Sequence, residues 1–377
     1  MAVSGDAGRG SSDMKIVFRA DASIQIGTGH VMRCLTLAKA LREGGAECAF
    51  VGREHLGNVF DLLEKEGFTA HRLPVSQWPV ESPKNSNTGH TDYAAWLGIT
   101  SEQDASDCLA VIEQSQPDWL VVDHYALDAH WEKALRPHIG KIMVIDDLAN
   151  RSHDCDLLLD QNLGSQATDY IGKIPEGCKV LAGPQYALLR PEFNAHRDKS
   201  LARRQLPLLA HILVTMGGVD ADNATGAVLD ALKKSDLPKM CRISVVMGAQ
   251  APWLEEVKAR AATMSCQTEV LSGISNMAEV MASADLAIGA AGSTSWERCC
   301  LGLPSLTVVL ADNQKLIAEA LSQTGSAVAL PLASIEQDLP EVITRLHKQP
   351  GTLKTMSQAA AEVTDGQGVQ KVMEWLQ

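Results

Sequence analysis

Short apolar runs alternate with helix-period segments along almost the whole chain. Strands are predicted at 15–20, 47–52, 119–123, 142–146, 157–160 and 179–182. A second series is predicted at 211–216, 242–247, 268–271, 286–289, 305–310 and 327–330. Many of these runs are continuous and rich in Val, Ile and Leu, as expected of parallel strands covered on both faces. Helices are predicted between them at 31–42, 223–234, 252–264, 276–284 and 313–323. Asn276 followed by Glu279 reads as a capping box with Asn in the capping role. This βαβα rhythm implies an α/β protein with two Rossmann-like, doubly wound parallel sheets.

The 377 residues exceed what one ordinary core supports, which again implies two domains. The polar, basic stretch 194–205 is the predicted join, with Pro191 just before it interrupting any continuous helix. The division is then a disordered Gly/Ser-rich tail at 1–13, an N-terminal domain at 14–195 and a C-terminal domain at 206–360. A final helix at 361–377 packs back on the N-terminal domain. Residues 79–92, rich in Pro, Ser, Asn and Gly, read as a surface loop. Two such domains facing each other form a cleft, where a substrate would sit.

Composition narrows the function. Hydrophobic residues make up 45%, as in a packed globular protein, and no apolar run approaches membrane-spanning length. The N-terminus lacks an apolar signal-peptide core. The nine cysteines have no zinc-like spacing and read as reduced thiols of a cytoplasmic protein. A net charge of -13 argues against bulk nucleic-acid binding but leaves room for a local anion site. The cluster Asp146, Asp147, Asp154, Asp156 and Asp160 straddles two predicted strands without one ligand-gathering loop, so no metal site is expected.

Four turns at predicted strand ends carry candidate chemistry. The first places Gly27, Gly29 and His30 between a strand and a helix. It is either a plain tight turn or a close approach to an anion at a helix start. A histidine there can exchange a proton near neutral pH. Asp21 and Arg33 flank it and serve either to orient the imidazole or substrate, or as a structural ion pair. The second turn holds Gly217 and Gly218, with Asp222 and Asn223 as alternative helix caps. The third, Gly292, Ser293, Thr294 and Glu297, combines phosphate donors with a carboxylate one turn into a helix. That carboxylate either accepts ribose hydroxyls or complements the helix dipole. The fourth is Asn313 and Gln314, either site residues or a helix cap.

Several segments together resemble one family: RADASIQIGTGHVMRCLTLAKAL, VVDHYALD, VIDDLANRSHDCDLLLDQN, GPQYALLRPEF, MGGVDADN, and GAAGSTSWERCCLGLPSL with ADNQ. They look like the UDP-2,4-diacetamido-2,4,6-trideoxy-β-L-altropyranose hydrolases of pseudaminic acid biosynthesis, over residues 14 to about 330. The resemblance implies a GT-B architecture, similar to the lipid-II-forming N-acetylglucosaminyltransferases. It also implies inverting, metal-independent cleavage at the anomeric carbon without a cofactor. By the same resemblance His30 is the base for water, and Tyr125 and Asn313 face the sugar. Glu297 lies on the ribose, and the turn around Ile274 reads the uracil. A GT-B glycosyltransferase, a UDP-sugar epimerase and a non-catalytic nucleotide-sugar binder are the alternatives. Oligomeric state is not legible.

Overall fold

The computed structural model describes residues 14–75, 93–310 and 314–377. The tail 1–13, the loop 79–92 and Asn313 fall outside the described residues.

Two parallel sheets organise the chain. The first contains β1 (Lys15–Ala20), β2 (Glu47–Arg53), β3 (Thr69–Leu73), β4 (Trp119–Asp123), β5 (Lys141–Ile145), β6 (Leu157–Asp160) and β7 (Lys179–Ala182). Its spatial order is β3-β2-β1-β4-β5-β6-β7. The second contains β8 (His211–Thr215), β9 (Arg242–Met247), β10 (Gln267–Ser272), β11 (Leu286–Ala290), β12 (Ser305–Val309) and β13 (Ala327–Pro331), in the order β10-β9-β8-β11-β12-β13. The strand order reverses between β1 and β4 in one sheet and between β8 and β11 in the other. Ligands of doubly wound folds bind beyond the strand ends at that reversal.

Central strands such as β4 and β8 are buried at every position, which is why they read as unbroken apolar runs. The edge strand β3, Thr-Ala-His-Arg-Leu, buries only Leu73 and had no apolar signature to predict it. Helix Gly29–Glu43 buries Val31, Cys34, Leu35, Ala38 and Leu41, a stripe at helical spacing laid on the first sheet. Each such large aliphatic contributes roughly 1.5–3 kcal/mol on burial.

The chain divides into two compact units. Unit 1 holds residues 1–161, 165–188 and 369–377; unit 2 holds 162–164 and 189–368. The stretch read as a join is instead helix Pro191–Arg203, with Pro191 at its first turn. Proline is suited to that position, because the first helical N–H has no intrahelical partner. Arg197 and Arg204 bind it to unit 2 through carbonyls of Cys300, Ala361, Thr364, Leu301 and Ala284. The segment 361–377 is not one helix: Gly351–Val363 ends and Gly368–Leu376 begins. Val369, Val372 and Leu376 then join the core of unit 1. The Asn276 capping box does not form either. The Asn276 amide donates to Glu279 at 3.0 Å, and no side chain caps the helix.

Candidate functional site

In unit 1 the turn after β1 is built by Ser23 and Gly27. Their backbones exchange hydrogen bonds, and Ser23 Oγ accepts from the N–H groups of Gln25 and Ile26. Gly27 sits at φ 79°, a conformation that favours glycine. The turn delivers Gly29 and His30 to the first turn of the helix. His30 is 8% exposed. Its Nδ1 lies 2.6 Å from Oδ1 of Asp123, the last residue of β4. β1 and β4 are neighbours, so the strand reversal itself brings the turn of one to the carboxylate of the other.

Asp123 also receives Arg33, Nε at 2.5 Å and Nη2 at 2.6 Å. Burial pushes this carboxyl up, but the charges of Arg33 and His30 outweigh it and hold Asp123 well below the usual carboxylate range. With Asp123 ionised, Nδ1–H of His30 donates to it and Nε2 is left as the basic nitrogen. Nε2 makes no hydrogen bond among the described residues. Arg33 therefore touches the imidazole system directly and also reaches Asp147 at 3.1 Å. Tyr125 donates its hydroxyl to Asp147 at 2.5 Å, so its ring is the part that faces His30, edge-on at 4.7 Å. Trp96 stacks on Tyr125 with centroids 5.7 Å apart, and Tyr93 closes the cluster. All three rings are half-buried.

Asp21 stands apart from this group. It is 2% exposed and saturated by Arg19 (2.7 and 2.9 Å) and the backbone N–H of Arg53. Arg19 and Arg53 both continue to Asp104, which also accepts from Trp131. The structure thus gives Asp21 the ion-pair role, tying β1, β2 and helix Ser101–Ser115 together.

In unit 2 the turns after β8, β9, β10 and β11 make a continuous rim. Gly217 (φ 93°) and Gly218 follow β8, and a Cβ on either would meet nothing within 4 Å. Gly248 after β9 packs so closely on the Gly218 carbonyl that a side chain there would overlap it. Gly273 after β10 abuts Ala249 and leads to the half-buried Ile274. Gly292 after β11 also faces open space. Ser293 precedes helix Thr294–Cys300, and its hydroxyl does not cap that helix. Thr294 opens the helix and Glu297 follows one turn later, its side chain 17% exposed and 3.7 Å from Arg190. Burial pushes the Glu297 carboxyl up to about 7 against the pull of Arg190. Gln314 Oε1 accepts the Leu310 N–H, which secures the end of β12.

The acidic cluster of unit 1 is paired side chain by side chain. Asp146 takes Arg151 and Tyr170, Asp154 and Asp156 take Arg136, and Asp160 takes Tyr170. Among the described residues, no three His, Cys, Asp or Glu side chains converge as metal ligands. No described helix is long and apolar enough to cross a membrane. Sequence reasoning passed over Tyr93 and Trp96, which lie in no periodic pattern. Asp123 was legible in the segment Asp123-His124-Tyr125, which follows a predicted strand and could reach the expected cleft from the first domain, but nothing in the sequence paired it with His30.

Comparison with known proteins adds four findings. Residues 211–372 match the glycosyltransferase family 28 C-terminal domain. The chain is 27% identical over 316 residues to the UDP-2,4-diacetamido-2,4,6-trideoxy-beta-L-altropyranose hydrolase of Campylobacter jejuni, covering 84% of this chain and 98% of that protein. Among solved structures, Acinetobacter baumannii MurG superposes with a TM-score of 0.67 at 18% identity, over 96% of this chain and 99% of that one. The Neisseria meningitidis UDP-GlcNAc 2-epimerase bound to UDP-GlcNAc gives 0.61 at 14% identity, over 97% and 99%. The shared fold is the GT-B architecture of two Rossmann-like domains.

Proposed function

Because this chain has the GT-B architecture, we propose that it is a UDP-sugar-processing enzyme, and specifically a hydrolase. Its substrate class is a UDP-linked diacetamido-trideoxyhexose, cleaved at the anomeric C1–O bond with inversion to give UDP and the free sugar. The observation that carries the reading is the His30–Asp123 pair at 2.6 Å, with the second imidazole nitrogen unengaged. The similarity to the Campylobacter jejuni hydrolase along most of the chain supports it.

In this mechanism His30 Nε2 takes a proton from water as the oxygen attacks C1. The C1–O bond breaks with its electron pair going to the diphosphate. Asp123 stabilises the imidazolium that forms, and Arg33 holds Asp123 in place. General-base help of this kind contributes about 10²–10⁴-fold. The turns at Gly217–Gly218 and Gly292–Thr294 hold the diphosphate with backbone N–H groups and the hydroxyls of Ser293 and Thr294. Glu297 accepts the ribose hydroxyls, Ile274 lies along the base, and no metal takes part. Gln314 secures the end of β12, and by the family resemblance Asn313 contacts the sugar. Tyr125, Trp96 and Tyr93 offer aromatic faces to the apolar parts of a deoxy, acetamido-bearing sugar.

The second reading is a GT-B glycosyltransferase, favoured by the family 28 match of residues 211–372. The two separate in one experiment: incubate the protein with the UDP-diacetamido-trideoxyhexose alone in ¹⁸O-water. Hydrolysis at carbon puts the label in the free sugar. His30→Ala should abolish this release, about 10²–10⁴-fold down, while calorimetric UDP affinity is unchanged. Release that depends on an acceptor, or full activity of the His30 variant, overturns the assignment.

A further inference from the structure

Arg298 is the least explained charge in unit 2. It lies in helix Thr294–Cys300 and is 1% exposed. One nitrogen, Nη2, donates to the Ala290 carbonyl and to Ser295 Oγ, each at 2.9 Å. The other two, Nε and Nη1, are buried with no hydrogen-bond partner. Among the described residues no carboxylate pairs with it, and the adjacent Glu297 is turned to Arg190 instead.

Such a group is expensive to keep. A guanidinium stays charged in a protein interior, and burial lowers its pKa only to about 10. A buried charge without a counter-charge disfavours the folded state, and an apolar side chain of similar length would not carry that penalty. The position of the charge indicates what would relieve it. A Cβ on Gly289 would overlap Arg298 Nη1, and the Thr215 carbonyl lies 2.7 Å from the same point. Gly289 pairs with Thr215 in register, so the guanidinium sits where β11 and β8 end side by side. Those strands lead into the Gly292 and Gly217–Gly218 turns, whose faces are open.

We propose that Arg298 is a positioning residue for anion binding: the buried counter-charge to the diphosphate of a nucleoside diphosphate held by these two turns. The inference rests on the nucleotide-sugar reading. It adds a source of affinity that acts through the turn backbone, and it explains why β11 carries glycine at position 289. Thr294–Cys300 is a short helix, so its own dipole supplies little; a full buried charge behind the turn supplies more.

The test is calorimetric titration of the full chain with UDP and with uridine, plus thermal melting of the free protein. Arg298→Met should weaken UDP about 10–100-fold, with uridine changed less than about twofold, because only the phosphates oppose the lost charge. The free variant should melt at or above the wild-type temperature. Arg298→Gln keeps donors for Ala290 and Ser295 and carries the same expectation if the Met variant does not fold. Arg298→Lys, which keeps the charge, should retain UDP binding better than either. Equal weakening of UDP and uridine, or unaltered UDP affinity, overturns the proposal. Wild-type protein that fails to bind UDP overturns the nucleotide-sugar reading itself, and this inference with it.

Discussion

At the scale of single residues, the chemistry of unit 1 depends on how one carboxylate is shared. Asp123 serves His30 and Arg33 at once, and both contacts are buried. Asp123→Asn leaves Arg33 with only Asp147 and offers His30 Nδ1 an amide that cannot match the carboxylate's charge. Removing one member of a buried charged pair typically costs about 3–5 kcal/mol. We expect a fall in unfolding free energy toward that range in urea denaturation, together with a kcat loss comparable to that of His30→Ala. A variant of wild-type stability and turnover would show that Asp123 neither orients nor stabilises the imidazole. Asp21 teaches the complementary lesson. Its place in the first motif suggested either a ligand contact or an ion pair, and only its burial against Arg19 and Arg53 decides for the latter.

At the scale of elements, most strands were legible because a central parallel strand must be apolar on both faces. β3 was not, since an edge position tolerates Thr, His and Arg. Pro191 misled in a specific way: proline stops a helix from within but starts one at its first turn. Close packing between turns was also invisible, because it joins residues 30 positions apart. Gly248 against Gly218 is the clearest instance. Gly248→Ala should push the Gly217–Gly218 turn outward, costing about 1–3 kcal/mol by overpacking. It should also weaken UDP by about tenfold or more, as measured by calorimetry beside thermal melting. Unchanged UDP affinity in a folded variant would separate this turn from the nucleotide site.

At the scale of the whole molecule, buried and half-buried histidines set the acid response. Burial lowers the pKa of His124 and His71 in unit 1, and of His211 in unit 2, below the ordinary value of 6.5. The folded state keeps them neutral while the unfolded chain protonates them near 6.5, so the unfolded state binds more protons and stability falls as pH drops through that value. Glu297, raised to about 7, acts oppositely and gains stability as pH falls from 7 toward 4.5, but it is one group against three. The melting temperature should therefore decline between pH 7 and pH 5.5, before most carboxylates titrate. Each kcal/mol lost lowers it by about 2–4 °C in domains of this size. A flat or rising melting temperature across that interval would refute the balance.

Taken alone, the chain's apolar rhythm determined the α/β class, the two-sheet organisation and the glycine turns, because periodicity and turn chemistry act between near neighbours. The family motifs likewise pointed to His30, Tyr125 and Glu297 from local strings of residues. Only the tertiary structure decided that His30 meets Asp123 across 93 positions, that Trp96 stacks on Tyr125, and that Arg298, without a paired carboxylate among the described residues, lies beside Gly289. Those relations arise from strand order and register, which bring together residues whose separation along the chain carries no periodic signal.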